Sequence, residues 1–273
     1  MGKSDRRALA VSLAATGALL LASLLVPWGC GGGGEATLVF AATRDLEGSG
    51  ILQAWVDDLR SRSGREIELV TATDLEVLAM ARHGECDLLI AHLPVEEERL
   101  QTSNHVEGRQ EVMRDDFVLV GPPDDPAGAR EAENVVAAFR KIAEAKRPFV
   151  GRVDGSGTSY AQDTVWGMSG VSDFGDWFRE SGEGMEEVLR QASREGAYTL
   201  CDRSTFQRLA GELELEILRQ GEEVLADPYH AMMVSGLTYP DTDLEGARKC
   251  LDYLLSEDAR KHFDLGAWEP PAG

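Results

Sequence analysis

The sequence predicts an α/β protein of two lobes behind an export segment. Three observations predict it. Strand-like and helix-like stretches alternate from Leu38 to Leu93, with no proline between Pro27 and Pro94; a second such series runs from Val135 to Leu218; and a long apolar run near the N-terminus follows Lys3, Arg6 and Arg7.

The N-terminal run extends from Ala8 to Val26 and is followed by Pro27, Trp28, Gly29 and Cys30. A basic start, an apolar stretch and a small residue before cysteine resemble a bacterial lipoprotein signal. That resemblance implies removal of residues 1–29 and lipidation of Cys30, with residues 30–37, including Gly31 to Gly34, as a flexible tether. Pro27 and Trp28 depart from the usual pattern, and a run of this length also just spans a bilayer, so retention as a membrane helix is the alternative. Both routes tether the remainder to a membrane outside the cytoplasm.

The full chain carries 27 Lys and Arg against 48 Asp and Glu, a formal net charge of −21. So acidic a surface repels polyphosphate backbones and excludes a polybasic membrane contact, so no nucleic acid partner is expected. It also repels small anions at long range, so any anion site must depend on close, preorganised donors. Beyond Cys30 the thiols are Cys86, Cys201 and Cys250, with no C-x-x-C spacing. They are assigned no role, and the apolar surroundings of Cys86 and Cys201 make them buried small hydrophobes.

In chain order, Leu38 to Ala42 reads as a buried strand, and Ile51, Leu52, Trp55, Val56 and Leu59 share one helical face. Ile67 to Val70 is a second strand, Leu75, Leu78 and Ala79 a shorter helical stripe, and Leu88 to Ala91 a third strand. This is a βαβαβ unit with parallel strands. Glu111 to Gly121 is a long extended segment ending at Pro122-Pro123, where the chain crosses between lobes. Helical Val135, Val136, Phe139, Ile142 and Ala143, a strand at Phe149 and Val150, helical Met185, Val188, Leu189 and Ala192, and strands at Ala197 to Leu200 and Leu213 to Leu218 build the second lobe. Ala231 to Val234 returns the chain, Leu244, Ala247, Leu251 and Leu254 form a final helix, and Trp268 packs on a lobe surface. Lobe 1 then comprises 38–118 and 229–273, and lobe 2 comprises 119–228.

Two Ser/Gly segments, 38–52 and 149–162, each follow a strand and open a helix. The first N–H groups of a helix lack partners and carry the positive end of its dipole, so an oxyanion satisfies them. Ser49, Ser156 and Thr158 can donate hydroxyls or serve only as caps. Arg44, Arg152 and Arg203 stand at strand ends, each with a planar fork of donors suited to an oxyanion. For any one of these features a cap or a solvated side chain is the plainer reading; one segment on each lobe is what a ligand clamped in a cleft requires. Enzyme readings lack support: there is no G-x-S-x-G, HExxH or P-loop string; His83 ends a helix where a cation suits the dipole, His92 ends a strand, and His105, His230 and His262 have no obvious acidic or thiol partner nearby in sequence. Asp57-Asp58, Asp115-Asp116 and Asp124-Asp125 read as solvated pairs. No catalytic residue, metal or cofactor is expected.

The segments GECDLLIAHLPVEEE, DDFVLVGPPDDPAG, RVDGSGTS and REGAYTLCDRSTF resemble the tungstate-binding components of ABC importers over roughly residues 38–235. The resemblance implies a type II-like periplasmic-binding-protein fold, with a ligand cleft between hinged lobes, a small oxyanion as ligand, a membrane permease as partner, and a monomer. In that family the first strand leads into Thr-Thr-Thr-Ser; here the matching residues are Ala42, Thr43, Arg44 and Asp45. The family's Arg, Asp and Ser-Gly-Thr-His pattern is matched by Arg152, Asp154, Ser156, Gly157 and Thr158, with Ser159 for the histidine, and Asp202-Arg203 is kept. The two Ser/Gly segments, the strand-end arginines and the resemblance together make Thr43, Arg44, Ser49, Arg152, Ser156, Thr158 and Arg203 the expected ligand contacts. Asp45 matters because tungstate, molybdate and sulfate carry no proton near neutral pH. Facing the cleft, it would favour monohydrogen phosphate, a phosphonate or a zwitterion; turned outward, it leaves the family ligand in place. A sensory or interaction module on the same fold is a further alternative.

Overall fold

The structure is a computed structural model describing residues 37–265 and 268–271. The expected export segment, Cys30 and the tetraglycine stretch lie outside the described residues. Among the described residues no helix is long and apolar enough to cross a membrane.

The first unit is built as its periodicity predicts. Strand β1 (Leu38–Thr43) passes through a short 3-10 turn, Arg44–Ser49, into helix α1 (Ile51–Ser63); β2 (Ile67–Ala72), α2 (Asp74–His83), β3 (Leu88–Ala91) and α3 (Pro94–Thr102) follow. Strand β1 pairs in parallel with β2 on one side and β3 on the other. Helix α2 departs from the expected stripe: it buries Asp74, Val77, Leu78 and Ala81, while Leu75 is exposed. The cause is its start, a capping box of Thr73 and Glu76 that fixes the first turn so that Asp74 faces inward.

Strand β4 (Val106–Gly121) is 16 residues long, and begins five positions before the expected start at Glu111. It leads to α4 (Val135–Glu144), β5 (Phe149–Arg152), α5 (Gly157–Ser169), β6 (Phe178–Ser181), α6 (Met185–Glu195), β7 (Thr199–Asp202), α7 (Arg203–Leu209) and β8 (Glu216–Arg219). The chain returns through β9 (Ala226–Val234) and ends in α8 (Leu244–Leu254) and the short α9 (Glu257–Arg260).

The sheet runs in the order β2-β1-β3-β9-β4-β7, with β8 also on β4. Its division into lobes is visible along β4. From Val106 to Asp116 that strand pairs with β9, and from Phe117 onward with β7 and β8. Parallel β5 and β6 form a second small sheet, joined to the rest by the Phe149 and Tyr198 bridge.

Each lobe buries apolar side chains on both faces of its sheet. In lobe 1, Trp55, Leu59, Leu251 and Phe263 cover one face, and Val77, Leu78, Leu100 and Met232 the other. In lobe 2, Phe139, Phe149, Trp166 and Tyr198 form an aromatic cluster opposite a layer of Val188, Leu189, Phe206 and Leu209. Helices on both faces of this mixed sheet, parallel from β2 to β3 and antiparallel from β3 onward, keep its strands hidden from water. Trp268 packs into the lobe 1 core, where Glu269 pairs with Arg114 of β4. Cys86, Cys201 and Cys250 are buried and unbridged.

Trp55 ties the sequence-distant ends of lobe 1 together: it is fully buried, and its indole N–H donates to the Ala259 carbonyl at 3.0 Å. Trp55→Ala removes that bond and opens a cavity, so it should lower unfolding stability by about 3–5 kcal/mol, read from the urea midpoint.

Candidate functional site

The cleft is lined from the carboxyl ends of the parallel strands, where open α/β sheets present their ligand-facing loops. Thr43 closes β1, and its hydroxyl donates to Asp74 Oδ2 at 3.0 Å. Asp45 lies in the following 3-10 turn, which buried Leu46 anchors, and turns its carboxylate into the cleft with 5% of the side chain exposed. Asp74 opens α2 after β2; its Oδ1 accepts the His92 amide at 3.0 Å. His92 follows β3, with its ring stacked on Tyr229 at 4.4 Å between centroids and its Nδ1 2.7 Å from Asp227 Oδ1.

Lobe 2 brings Arg152 from the end of β5. Its side chain is fully buried, its amide donates to Gln162 Oε1, and its guanidinium bonds Asp154 of its own loop. Ser156 caps α5 by accepting from the Ser159 amide, and Thr158 Oγ1 is 3.4 Å from the Arg152 guanidinium.

Two of the contacts between the lobes span the cleft at these strand ends. Arg152 donates to Asp45 Oδ1 at 3.2 Å, and the Gly157 amide, at the N-terminus of α5, donates to Asp74 Oδ2 at 3.0 Å. A guanidinium and a helix N-terminus are thus each satisfied by a carboxylate of the opposite lobe. Gly157 is required for this approach, because a Cβ there would stand 2.4 Å from the His92 ring. Beside these contacts, an inter-lobe cavity of about 280 Å³ is lined by His92, Phe117, Tyr160, Val224 and Pro228.

Electrostatics follow from this packing. Burial pushes the Asp45 carboxyl up, but the charge of Arg152 and the neighbouring His92 outweigh it and hold it at about 2. Burial pulls the His92 imidazole down, whereas Asp227 and Asp74 raise it well above the ordinary histidine range. Burial raises Asp227 to about 6, against the opposing pull of His92. Asp45 therefore stands as an anion next to the site's arginine.

The structure brings Thr43, Asp45, Arg152, Ser156 and Thr158 into one region. Other predicted contacts lie elsewhere. The Arg44 side chain is half-exposed and pairs with Glu76 at 3.5 Å. Ser49 donates to the Leu46 carbonyl within its own turn. Arg203 grips Asp116 and donates to Gln220 on the far side of the strand crossing. Conversely, sequence reasoning passed over Asp74, His92 and Asp227. All three sit at strand ends or at the crossing, and that position was the available signal.

A second buried group lies at the crossing itself. Asp115 of β4 faces Asp227 of β9 in the ladder, and accepts from the Ser204 amide at 3.2 Å. Burial and the charges of Asp202 and Asp227 push it well above the usual carboxylate range.

A sheet that changes partners along one strand, with donors from two lobes meeting over its strand ends, defines a two-lobed solute-binding protein. Residues 33–258 match the PBP superfamily domain, and the chain belongs to that superfamily. A Haloferax volcanii protein provisionally named an ABC transporter anion-binding protein is 33% identical over 85% of this chain and 69% of its own length. Tungstate-binding protein TupA of Peptoclostridium acidaminophilum is 30% identical over 83% of this chain and 80% of its own. The crystal structure of the tungstate ABC transporter from Geobacter sulfurreducens is 29% identical, covering 85% of this chain and 99% of that one, with a TM-score of 0.74.

An acid whose carboxyl is raised on folding opposes the fold at pH above its folded value, and the cost disappears as pH falls toward the unfolded value near 3.8. Asp115→Asn should therefore raise the thermal midpoint by several degrees at pH 8, with a gain that shrinks as the scan is repeated toward pH 4.

Proposed function

We propose that this protein is the extracytoplasmic solute-binding component of an ABC importer and captures a small tetrahedral oxyanion between its lobes. The observation that carries this reading is the fully buried Arg152 beside the N-terminus of α5, engaged with a carboxylate from the facing lobe. A carboxylate is itself an oxyanion, so Asp45 occupies the kind of place that the ligand takes. Arg152 and Thr158, with the Ser156-capped helix N-terminus, form the donor wall of lobe 2, and Thr43 adds a hydroxyl from lobe 1. The curated relatives, named for anion or tungstate binding, support the same class of ligand.

On this reading the lobes part, Asp45 leaves Arg152, and the anion takes its place. Tungstate and molybdate are the reference ligands. The inward-facing Asp45 favours a second ligand class: monohydrogen phosphate or a phosphonate can donate a hydrogen bond to that carboxylate, whereas tungstate meets repulsion. The remaining assignments belong to the same proposal: export by residues 1–29, a lipid on Cys30, action as a monomer, and delivery to a membrane permease.

Calorimetric titration of the purified chain with tungstate, molybdate, sulfate, phosphate and methylphosphonate tests the reading, with one anion expected to bind at a single site. Silence across the panel from folded protein overturns it. Arg152→Ala should weaken the bound anion by at least about 100-fold, as expected for a buried charge-assisted contact. Arg203→Ala should change it less than about threefold. A panel repeated with Asp45→Ser should shift preference toward tungstate, by about tenfold or more relative to phosphate.

A further inference from the structure

The groups that crowd the cleft floor also have the geometry of a cation site. Asp45, Asp74 and His92 each offer one ligand atom, and the three atoms lie within 4.8 Å of one another. His92 Nε2 is 3.1 Å from the Asp74 oxygen and 3.4 Å from the Asp45 oxygen. Zinc-like ions bind imidazole nitrogen and carboxylate oxygen at about 2.0–2.2 Å, so neighbouring donors on one ion stand roughly 3–3.5 Å apart. Both spacings from Nε2 fall in that interval.

A second observation is independent of the spacing. Asp45 Oδ2 and His92 Nε2 are fully buried, and apart from the ion pairs that Nε2 makes with Asp45 and Asp74 neither atom has a hydrogen-bond partner. Buried polar atoms are nearly always hydrogen-bonded, and an oxygen and a nitrogen left with only these ion pairs are free to bind an ion between them. We infer that Asp45, Asp74 and His92 form a binding site for one divalent transition-metal cation of the zinc type.

Three features of the surroundings support the assignment. The ligands hang from the ends of β1, β2 and β3, adjacent strands of one sheet, so a single lobe preorganises them. His92 presents Nε2 to the site while its Nδ1 is held by Asp227 at 2.7 Å, the carboxylate contact that orients a ligating imidazole. Asp45 and Asp154 contact the Arg152 guanidinium while Asp74 and Asp227 contact the His92 ring, so four carboxylates stand against one guanidinium and one imidazole, an excess of negative charge that a dication offsets. Asp74 Oδ2 already accepts from Thr43 and Gly157; the rotatable Thr43 hydroxyl is the donor that yields to the ion. One imidazole with two carboxylates suits zinc, cobalt or manganese better than calcium or magnesium. The site was not expected from the sequence, where no metal-ligand spacing exists.

The test uses the purified chain stripped with chelator and holding no oxyanion, so that it is independent of the anion reading. Titration with ZnCl2 should show one equivalent bound per chain, and CoCl2 should produce visible absorption of a low-coordinate Co²⁺ centre that zinc abolishes. Asp45→Asn and His92→Gln should each weaken zinc at least about 100-fold, and Asp227→Asn, acting only through His92, about 10–100-fold. His105→Gln, at a histidine paired with Tyr239 elsewhere, should leave binding unchanged. No zinc uptake by folded protein overturns the inference and leaves a proton on Nε2. Full binding retained in Asp45→Asn and His92→Gln, both shown folded by circular dichroism, overturns it equally by placing the ion elsewhere.

Discussion

The buried contact between Arg152 and Asp45 is the constraint around which the rest of the cleft is arranged. A guanidinium removed from water must be compensated by charge and by well-placed acceptors, and an uncompensated one would cost several kcal/mol. Here the acceptors come from Asp154 in the same loop and Asp45 across the cleft. The closed arrangement of the lobes therefore depends on a carboxylate supplied by the chain. The neighbouring contact, from the Gly157 amide to Asp74, repeats the device with a helix N-terminus in place of a side chain.

The acidity of the whole molecule and that of its cleft act at different ranges. A net charge of −21 repels an approaching anion over the screening distance of the medium. Inside the cleft, individual partners decide. Asp45 stays ionised because Arg152 is adjacent, whereas Asp115 and Asp227, buried nearby among other acids, are pushed upward. Each group responds first to what it touches, so formal charge alone does not describe the site.

Much of the architecture could be read from periodicity. The alternation from Leu38 to Leu93 gave the parallel unit because each strand is a short continuous apolar run and each helix carries a stripe. The Ser-Gly-Thr segment could be read as a helix opening because Ser156 is a true cap. Helix α2 was misphased because its capping box, not its apolar residues, sets its rotation. Asp74, His92 and Asp227 were invisible as a group because their proximity is created by the sheet: His92 and its Asp227 partner are 135 positions apart. No local spacing encodes such a contact.

Strand order also governs how the molecule can be assembled. Residues 117–225 contain every strand that pairs within lobe 2, from the second half of β4 through β8, so this lobe is complete as soon as that stretch is available. Lobe 1 has no such independence, because β9 inserts between β3 and β4 in the middle of its sheet. Until β9 arrives, β3 and β4 expose unsatisfied edges, and the lobe must close through contacts of high sequence separation, which form slowly. The lobe that carries the N-terminal part of the sheet is thus expected to finish folding last, and its exposed edges are where misassembly would begin.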